Sequence, residues 1–155
     1  MFKKIFKKKE KKSDGNDNVM IGALLIHAAK IDDNYTEIEK NIIKKSLINL
    51  SSLSENDADK IMVEAEKKEK ESNQLVEFTS NIKKKSMEFR LKIIEILWKI
   101  VYSDSTNDSY ESNLIRRVCG LLYVSDKDSG LIKMKVKNLN KVWLTSSTIS
   151  VLSAN

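Results

Sequence analysis

Two pairs of acidic residues with the same spacing are the side chains best suited to do chemistry. Asp32 is followed seven residues later by Glu39, and Asp104 is followed seven residues later by Glu111. Carboxylate oxygens are the ligands that hard cations such as Ca²⁺ and Mg²⁺ prefer. If the two pairs converge in the fold, they supply four carboxylates to one ion. The pattern therefore predicts a candidate metal site made of Asp32, Glu39, Asp104 and Glu111.

The same residues also fit a purely structural role. Glu39 stands three residues after Thr36, and Glu111 stands three residues after Asp108, which is the spacing of a capping interaction at a helix start. The two preceding aspartates would then only bind backbone amides in their loops. Two alternatives therefore remain open at this point: a site for a divalent cation, or helix capping with no ion and no cofactor.

The other reactive side chains do not form a recognisable catalytic set. His27 is the only histidine and lies on the apolar stripe of a predicted helix, which is typical of a residue at the edge of a core. Cys119 is the only cysteine, and its apolar surroundings predict a buried small side chain. No phosphate-binding loop, dinucleotide fingerprint or zinc pattern is present. We therefore expect no enzyme, and we assign no catalytic or cofactor-binding residue.

Basic charge is concentrated at the amino end. Residues 1–12 hold seven of the 28 basic and one of the 22 acidic residues, so they carry the whole net charge of +6. Because the remainder is neutral, we expect no nucleic-acid partner. Phe2, Ile5 and Phe6 lie at helical spacing, which predicts a basic amphipathic helix on an anionic membrane; the alternative is a solvated, disordered arm. The lysines concerned are Lys3, Lys4, Lys7, Lys8, Lys9, Lys11 and Lys12.

The elements that must position these residues are predicted to be helices only. The chain has no Pro and only four Gly, and its apolar residues recur every three or four positions. We expect about seven helices, near residues 18–31, 36–50, 54–71, 72–83, 86–103, 109–122 and 125–136. In the third of them, the Glu- and Lys-rich stretch 64–71 is predicted to face water.

These helices suggest three parts in one chain. Residues 1–18 are predicted to be the basic arm and a polar linker, because Ser13–Asn18 has turn-forming composition. Residues 19–136 are predicted to form the helical domain. Residues 137–155 form a C-terminal tail whose structure the sequence does not predict. The longest apolar run, at 19–26, is far shorter than the roughly 20 residues of a membrane span.

The chain also contains an internal repeat. A shift of 72 residues places Asp104 on Asp32 and Glu111 on Glu39, and it places the apolar-apolar-basic-basic run at 114–117 on that at 42–45. A shift of 71 residues then aligns the later helix starts of the two halves. We therefore predict two halves of three core helices, at about 19–70 and 87–136, packed about a pseudo-two-fold axis.

These motifs resemble the TerB (tellurite-resistance B) family, most closely its small stand-alone bacterial members. The resemblance is carried by residues 97–104 (Leu-Trp-Lys-Ile-Val-Tyr-Ser-Asp), 110–111 and 114–125, and by 28–32 with Glu39. It implies the helical fold shared with the N-terminal domain of DjlA-type membrane co-chaperones, a link to tellurite and other stress responses, and a metal-binding role for the acidic residues. The family usually has Gly after each Asp, whereas this chain has Asp33 and Ser105.

The function expected from these observations is that of a non-catalytic helical module. It would bind a partner protein and a divalent cation, in the cytoplasm or peripherally at the inner face of a membrane; the single cysteine suits a reducing compartment. The alternative is a structural or adaptor domain without an ion site, in which the acidic residues only cap helices.

Overall fold

The computed structural model is helical throughout the part of the chain that it describes. It describes the backbone of residues 2–103 and 109–153, and the side chains of residues 15–31, 33–103 and 112–139. The α-helices in these residues are α1 (Phe2–Ala29), α2 (Glu37–Ser51), α3 (Glu55–Glu71), α4 (Leu75–Thr79), α5 (Met87–Ser103), α6 (Ser109–Leu121) and α7 (Asp126–Ser153). Short 3₁₀ turns follow α1, at Lys30–Asp32, and α4, at Ile82–Lys84. The predicted all-α class with about seven helices is confirmed.

The helices form two groups of three joined by α4. Within the first group α1 packs against α2 and α3, and within the second α5 packs against α6 and α7. The groups meet where α2 and α1 contact α5, and where α4 contacts both α1 and α6. As predicted, the most apolar helix is central, since α5 buries seven side chains.

The internal repeat is visible in how corresponding helices begin. The amide of Asp57 donates to the hydroxyl of Ser54 over 3.1 Å, and the amide of Asp128 donates to that of Ser125 over the same distance. A hydroxyl that accepts from the third helical residue satisfies one of the amides left unpaired at a helix start. The third and last helices therefore start with the same local interaction, 71 residues apart.

The middle helices also end alike. Ser52 follows α2 with a φ of 51°, and Tyr123 follows α6 with a φ of 56°. In each half the next amide donates to the carbonyl five residues earlier, at 3.3 Å in the first half and 2.9 Å in the second. This left-handed ending is the Schellman motif, in which Gly is the usual residue. The duplication is therefore preserved in backbone geometry where the residue types differ.

One position shows how the halves have diverged. Arg90 on α5 donates from Nη1 to the carbonyl oxygen of Leu122, 2.8 Å away, just beyond the C-terminal end of α6. At the corresponding position of α1, Asn18 accepts a 2.6 Å hydrogen bond from the hydroxyl of Ser51 at the end of α2. Both side chains tie the first helix of their half to the end of the second. The shorter Asn18 does so across a closer approach.

The contact between α1 and α3 is unusually close and depends on a glycine. A Cβ added at Gly22 would lie 2.8 Å from the Cβ of Ala65, closer than real Cβ atoms approach. Ala65 is fully buried, as are Leu24 and Leu25 of α1. The two helices therefore pack nearly backbone to backbone.

Two boundaries differ from the predictions. Ser13–Asn18, predicted as a linker with turn chemistry, lies within α1. Asp17 and Asn18 are buried and have partners elsewhere in the fold, because Lys85 Nζ lies 2.9 Å from Asp17 and Ser51 bonds to Asn18. These tertiary interactions outweigh the local preference of Asp and Asn for turns. At the other end α7 continues to Ser153, through most of the unassigned tail.

Candidate functional site

The first acidic loop is a tight turn with a left-handed residue. After α1, residues 30–32 form one 3₁₀ turn, and Asp33 follows with φ 59° and ψ 16°. The amide of Asp33 donates to the carbonyl oxygen of Lys30 over 3.0 Å. Positive φ is costly for most residues but is tolerated by Asp and Asn. Asp33 therefore adopts the conformation for which related proteins use Gly.

Glu39 has the capping role that its spacing predicts. Its Oε1 accepts hydrogen bonds from both the amide and the hydroxyl of Thr36, each at 3.0 Å, and its own amide donates to that hydroxyl over 3.2 Å. The capping box at the start of α2 is thus complete. Glu39 is also buried, with only 2% of its surface exposed, although residues at helix starts are commonly solvated. A buried carboxylate so close to the acidic loop strengthens the local negative charge.

The two halves meet beside this loop. The Lys30–Asp32 turn contacts α6, which is the helix that contains Glu111. The side chains of Asp32 and Glu111, and all of Asp104, lie outside the described residues, so the predicted four-carboxylate cluster stays a prediction. Among the side chains that are described, no group of three or more His, Cys, Asp or Glu is arranged to hold a metal ion.

A buried carboxylate that the sequence analysis missed anchors the same turn to α3. Glu69 is only 6% exposed; its Oε2 lies 2.9 Å from Lys30 Nζ, and its Oε1 lies 3.2 Å from His27 Nδ1. Burial alone would raise the pKa of Glu69, but the hydrogen bonds from Lys30 and His27 outweigh it and lower that pKa. The carboxylate is therefore held in its charged form, bridging α3 to the end of α1.

The prediction that residues 64–71 face water is wrong at Glu69. Met62, Ala65 and Glu69 follow one another at helical spacing, and all three are buried against α1 or its neighbours. The signal was present in the sequence, because Glu69 continues the apolar stripe of α3. Its partners were not apparent, since they lie about 40 residues away in the chain.

Tyr35 completes the packing around the turn. Its hydroxyl donates to Glu66 Oε1 over 3.2 Å, and burial, reinforced by that carboxylate, raises the pKa of Tyr35. The ammonium groups of Lys30 and Lys40 lie 5.8 Å and 5.0 Å from the centre of its ring. Lys30 thus contacts both Glu69 and Tyr35. The turn that bears Asp32 is fixed from two sides by side chains of the first half.

His27 and Cys119 do not form a catalytic dyad. His27 bonds to Glu69, and its ring lies 6.3 Å from that of Phe78, as expected of a residue at the edge of the core. Cys119 is 1% exposed, and burial raises the pKa of its thiol. A reactive cysteine needs a lowered pKa and access to solvent. The buried-hydrophobe interpretation of Cys119 is therefore supported by its environment.

A cleft of about 830 Å³ opens between α1, the end of α2 and the start of α3. It exists in the first half, where Gly15 and Asn18 stand at the positions of Met87 and Arg90 in the second half. Its lining combines the Asp17–Lys85 ion pair with apolar side chains. The two halves are thus least alike at this cleft, which the sequence analysis did not predict.

Within the described residues, no helix combines the length and the apolar character that a membrane crossing requires.

Comparison with known proteins identifies the family. The family described as tellurite resistance protein TerB matches residues 18–134, which is most of the chain and includes all helices from the core part of α1 to the first part of α7. No curated protein matches the chain, and no solved structure does. The matched segment begins and ends close to the predicted domain of residues 19–136. The repeated helices, the capped starts and the acidic loop described above all lie within that match, and the chain belongs to the TerB family.

Proposed function

We propose that this chain is a non-catalytic TerB module of the tellurite- and stress-resistance type, which binds a partner protein and holds a divalent cation, Ca²⁺ or Mg²⁺. The proposed ligands are Asp32, Glu39, Asp104 and Glu111. The observation that carries the cation proposal is the packing of the Lys30–Asp32 turn against α6. This contact puts the first acidic loop beside the helix that contributes Glu111.

Electrostatics supports a bound cation at this place. Asp32 ends the turn that follows α1, where the negative end of the helix dipole disfavours another negative charge. Glu39 adds a buried carboxylate a few residues later. Buried charges are expensive unless they are paired or coordinate a metal. A divalent cation would compensate this concentration of negative charge, and the repeat places a second Asp and Glu pair at matching positions.

The structural alternative is favoured by a different observation. The complete capping box between Thr36 and Glu39 gives Glu39 a role that needs no ion. The two interpretations can be separated because Gln also serves in a capping box but carries no charge. Glu39→Gln therefore keeps the cap and removes a candidate ligand.

The test is a calorimetric titration of the full-length chain with Ca²⁺ and with Mg²⁺. If the cation proposal holds, the wild type binds one of the ions, and Glu39→Gln and Glu111→Gln each weaken binding at least about tenfold, as expected for loss of a charged ligand. Glu37→Gln is the matched control, because Glu37 also lies in the first turn of α2 but is exposed. The absence of any binding heat in the wild type, or equal binding in all variants, refutes the cation site.

The proposed location is the cytoplasm, peripherally at the inner face of a membrane through the lysines of residues 1–12. Support comes from α1, which begins at Phe2 and runs as one helix into the domain. A helical segment with Lys around Phe2, Ile5 and Phe6 is the type that lies on anionic lipid. A pull-down from the native host would identify the protein partner, and recovery of no specific protein would count against an adaptor role.

A further inference from the structure

The last helix carries an unusual distribution of charge. After Asp128, residues 129–155 contain four lysines and no acidic residue. The middle of the chain, residues 13–128, holds 17 basic and 21 acidic residues and is therefore net negative. Positive charge is thus confined to the outer parts of α1 and α7. The four lysines of the last helix are Lys133, Lys135, Lys137 and Lys141.

The outward face of α7 is apolar as well as basic. Leu131, Met134 and Leu139 are 60%, 61% and 54% exposed. In a helix of 3.6 residues per turn, these three positions fall within an arc of about 140°. They therefore form one exposed apolar stripe, which we call the α7 face.

Core packing does not account for this stripe. The opposite side of α7 provides the contact with α5, through buried Val136, partly buried Ile132, and Ser129, whose hydroxyl accepts from Trp98 Nε1 over 3.2 Å. A surface helix normally has one apolar side and one polar side. α7 has apolar residues on both, so the outward set needs an occupant other than the domain itself.

Charge at the edges of the stripe indicates what that occupant is. Lys127, Lys135 and Lys137 are exposed on the same helix. Lys135 Nζ lies 3.5 Å from Glu95, while α7 itself provides no acid beyond Asp128. Exposed Leu and Met flanked by Lys is the composition of a helix that lies in the interface of an anionic bilayer. A second copy of this chain would instead bring like charges together.

We propose that the α7 face docks on anionic phospholipid, with Leu131, Met134 and Leu139 in the acyl boundary and the flanking lysines among the head groups. This inference stands independently of the cation site and of the lysines in residues 1–12. It assigns a role to the C-terminal extension, most of which lies beyond the segment that matches the family.

The experiment measures binding of the full-length chain to vesicles of phosphatidylglycerol with phosphatidylcholine, and to vesicles of phosphatidylcholine alone. The test variant is Leu131→Gln with Met134→Gln. The control is Val63→Gln with Val76→Gln, which removes two equally exposed apolar side chains, 68% and 64%, from other helices. We expect the test variant to bind the anionic vesicles about tenfold more weakly, equivalent to about 1.4 kcal/mol, because two partly inserted apolar side chains are lost.

Each other outcome overturns the inference. If the test variant and the control bind alike, the α7 face does not contact lipid, and any binding by the wild type belongs to residues 1–12. Equal binding of the wild type to both kinds of vesicle would show that charge complementarity is absent. If the test variant loses self-association instead of vesicle binding, the occupant is a second copy. Unchanged circular dichroism and melting temperature in both variants exclude unfolding as a cause, since all four side chains are exposed.

Discussion

Replacing Glu69 with Gln tests the anchor of the acidic turn. The substitution keeps the size of the side chain but removes the charge that binds Lys30 and His27 at 2.9 and 3.2 Å. A hydrogen bond to a charged group contributes about 1.5–3 kcal/mol, and the partial exposure of both partners, 29% and 22%, places these bonds at the low end. We expect Glu69→Gln to lower the free energy of unfolding at neutral pH by about 2 kcal/mol.

Urea unfolding followed by circular dichroism measures this loss, and a double-mutant cycle with Lys30→Met isolates the ion pair. The single changes should not add, because each removes the same contact, and we expect a coupling energy of about 1 kcal/mol. A loss below about 0.5 kcal/mol for Glu69→Gln, or strict additivity in the cycle, would refute the reasoning.

The same interaction predicts a pH dependence with a definite sign. The pKa of Glu69 in the folded chain is below its ordinary value of 4.5. The unfolded chain therefore binds the proton more readily, and the contribution of Glu69 is fully present above that ordinary value. It is lost as pH falls through the lowered pKa. The stability difference between wild type and Glu69→Gln should accordingly shrink in acid, and a difference that grows there would contradict the assignment.

The remaining predictions concern packing, backbone conformation and the amino end. Gly22→Ala should lower the free energy of unfolding by about 1–2 kcal/mol through overpacking against Ala65, whereas Gly120→Ala, in open space on α6, should raise it by about 0.5–1 kcal/mol. Tyr123→Gly should raise it by about 1 kcal/mol by relieving a positive φ, and Tyr123→Ala should not. Urea titrations check both pairs, and a reversed order in either contradicts it. Deleting residues 1–12 should weaken binding to anionic vesicles in a salt-dependent way while leaving the melting temperature of the domain nearly unchanged; equal binding would refute the membrane role of the arm.

Features set by neighbouring residues could be predicted from the sequence. The start of α2 at Thr36 and the start of α3 at Ser54 follow from capping interactions between residues three apart. The repeat predicted the same arrangement at Ser125 before any coordinates were considered. Local spacing fixes these elements because both partners lie within one helical turn.

Features set by distant residues could not be predicted. The helical path through 13–18 depends on Lys85 and Ser51, which belong to other elements. The burial of Glu69 depends on where α3 meets α1, at the close contact of Gly22 with Ala65. In each case a polar side chain that looks solvated in the sequence finds a charged or hydrogen-bonding partner across the fold.

The candidate site divides in the same way. The capping role of Glu39 is a local property and was predicted from its distance to Thr36. The approach of the first acidic loop to α6 is a consequence of how the halves pack, which the repeat suggested only in outline. A role for the four carboxylates as ligands depends on that packing, so spacing alone could propose the site without establishing it.

Thermal melts of the wild type and of an Asp32→Asn, Asp104→Asn double variant, over a range of Ca²⁺, Mg²⁺ and Mn²⁺ concentrations, test the proposed cation site most directly. A cation that binds only the folded chain stabilises it in proportion to the logarithm of its concentration above the dissociation constant. We predict such a rise in melting temperature for the wild type with at least one of these ions, and a flat response for the double variant. Flat melting temperatures in every metal would leave helix capping as the whole role of these residues, and a rise that persists in the double variant would contradict the assignment of the site to Asp32 and Asp104.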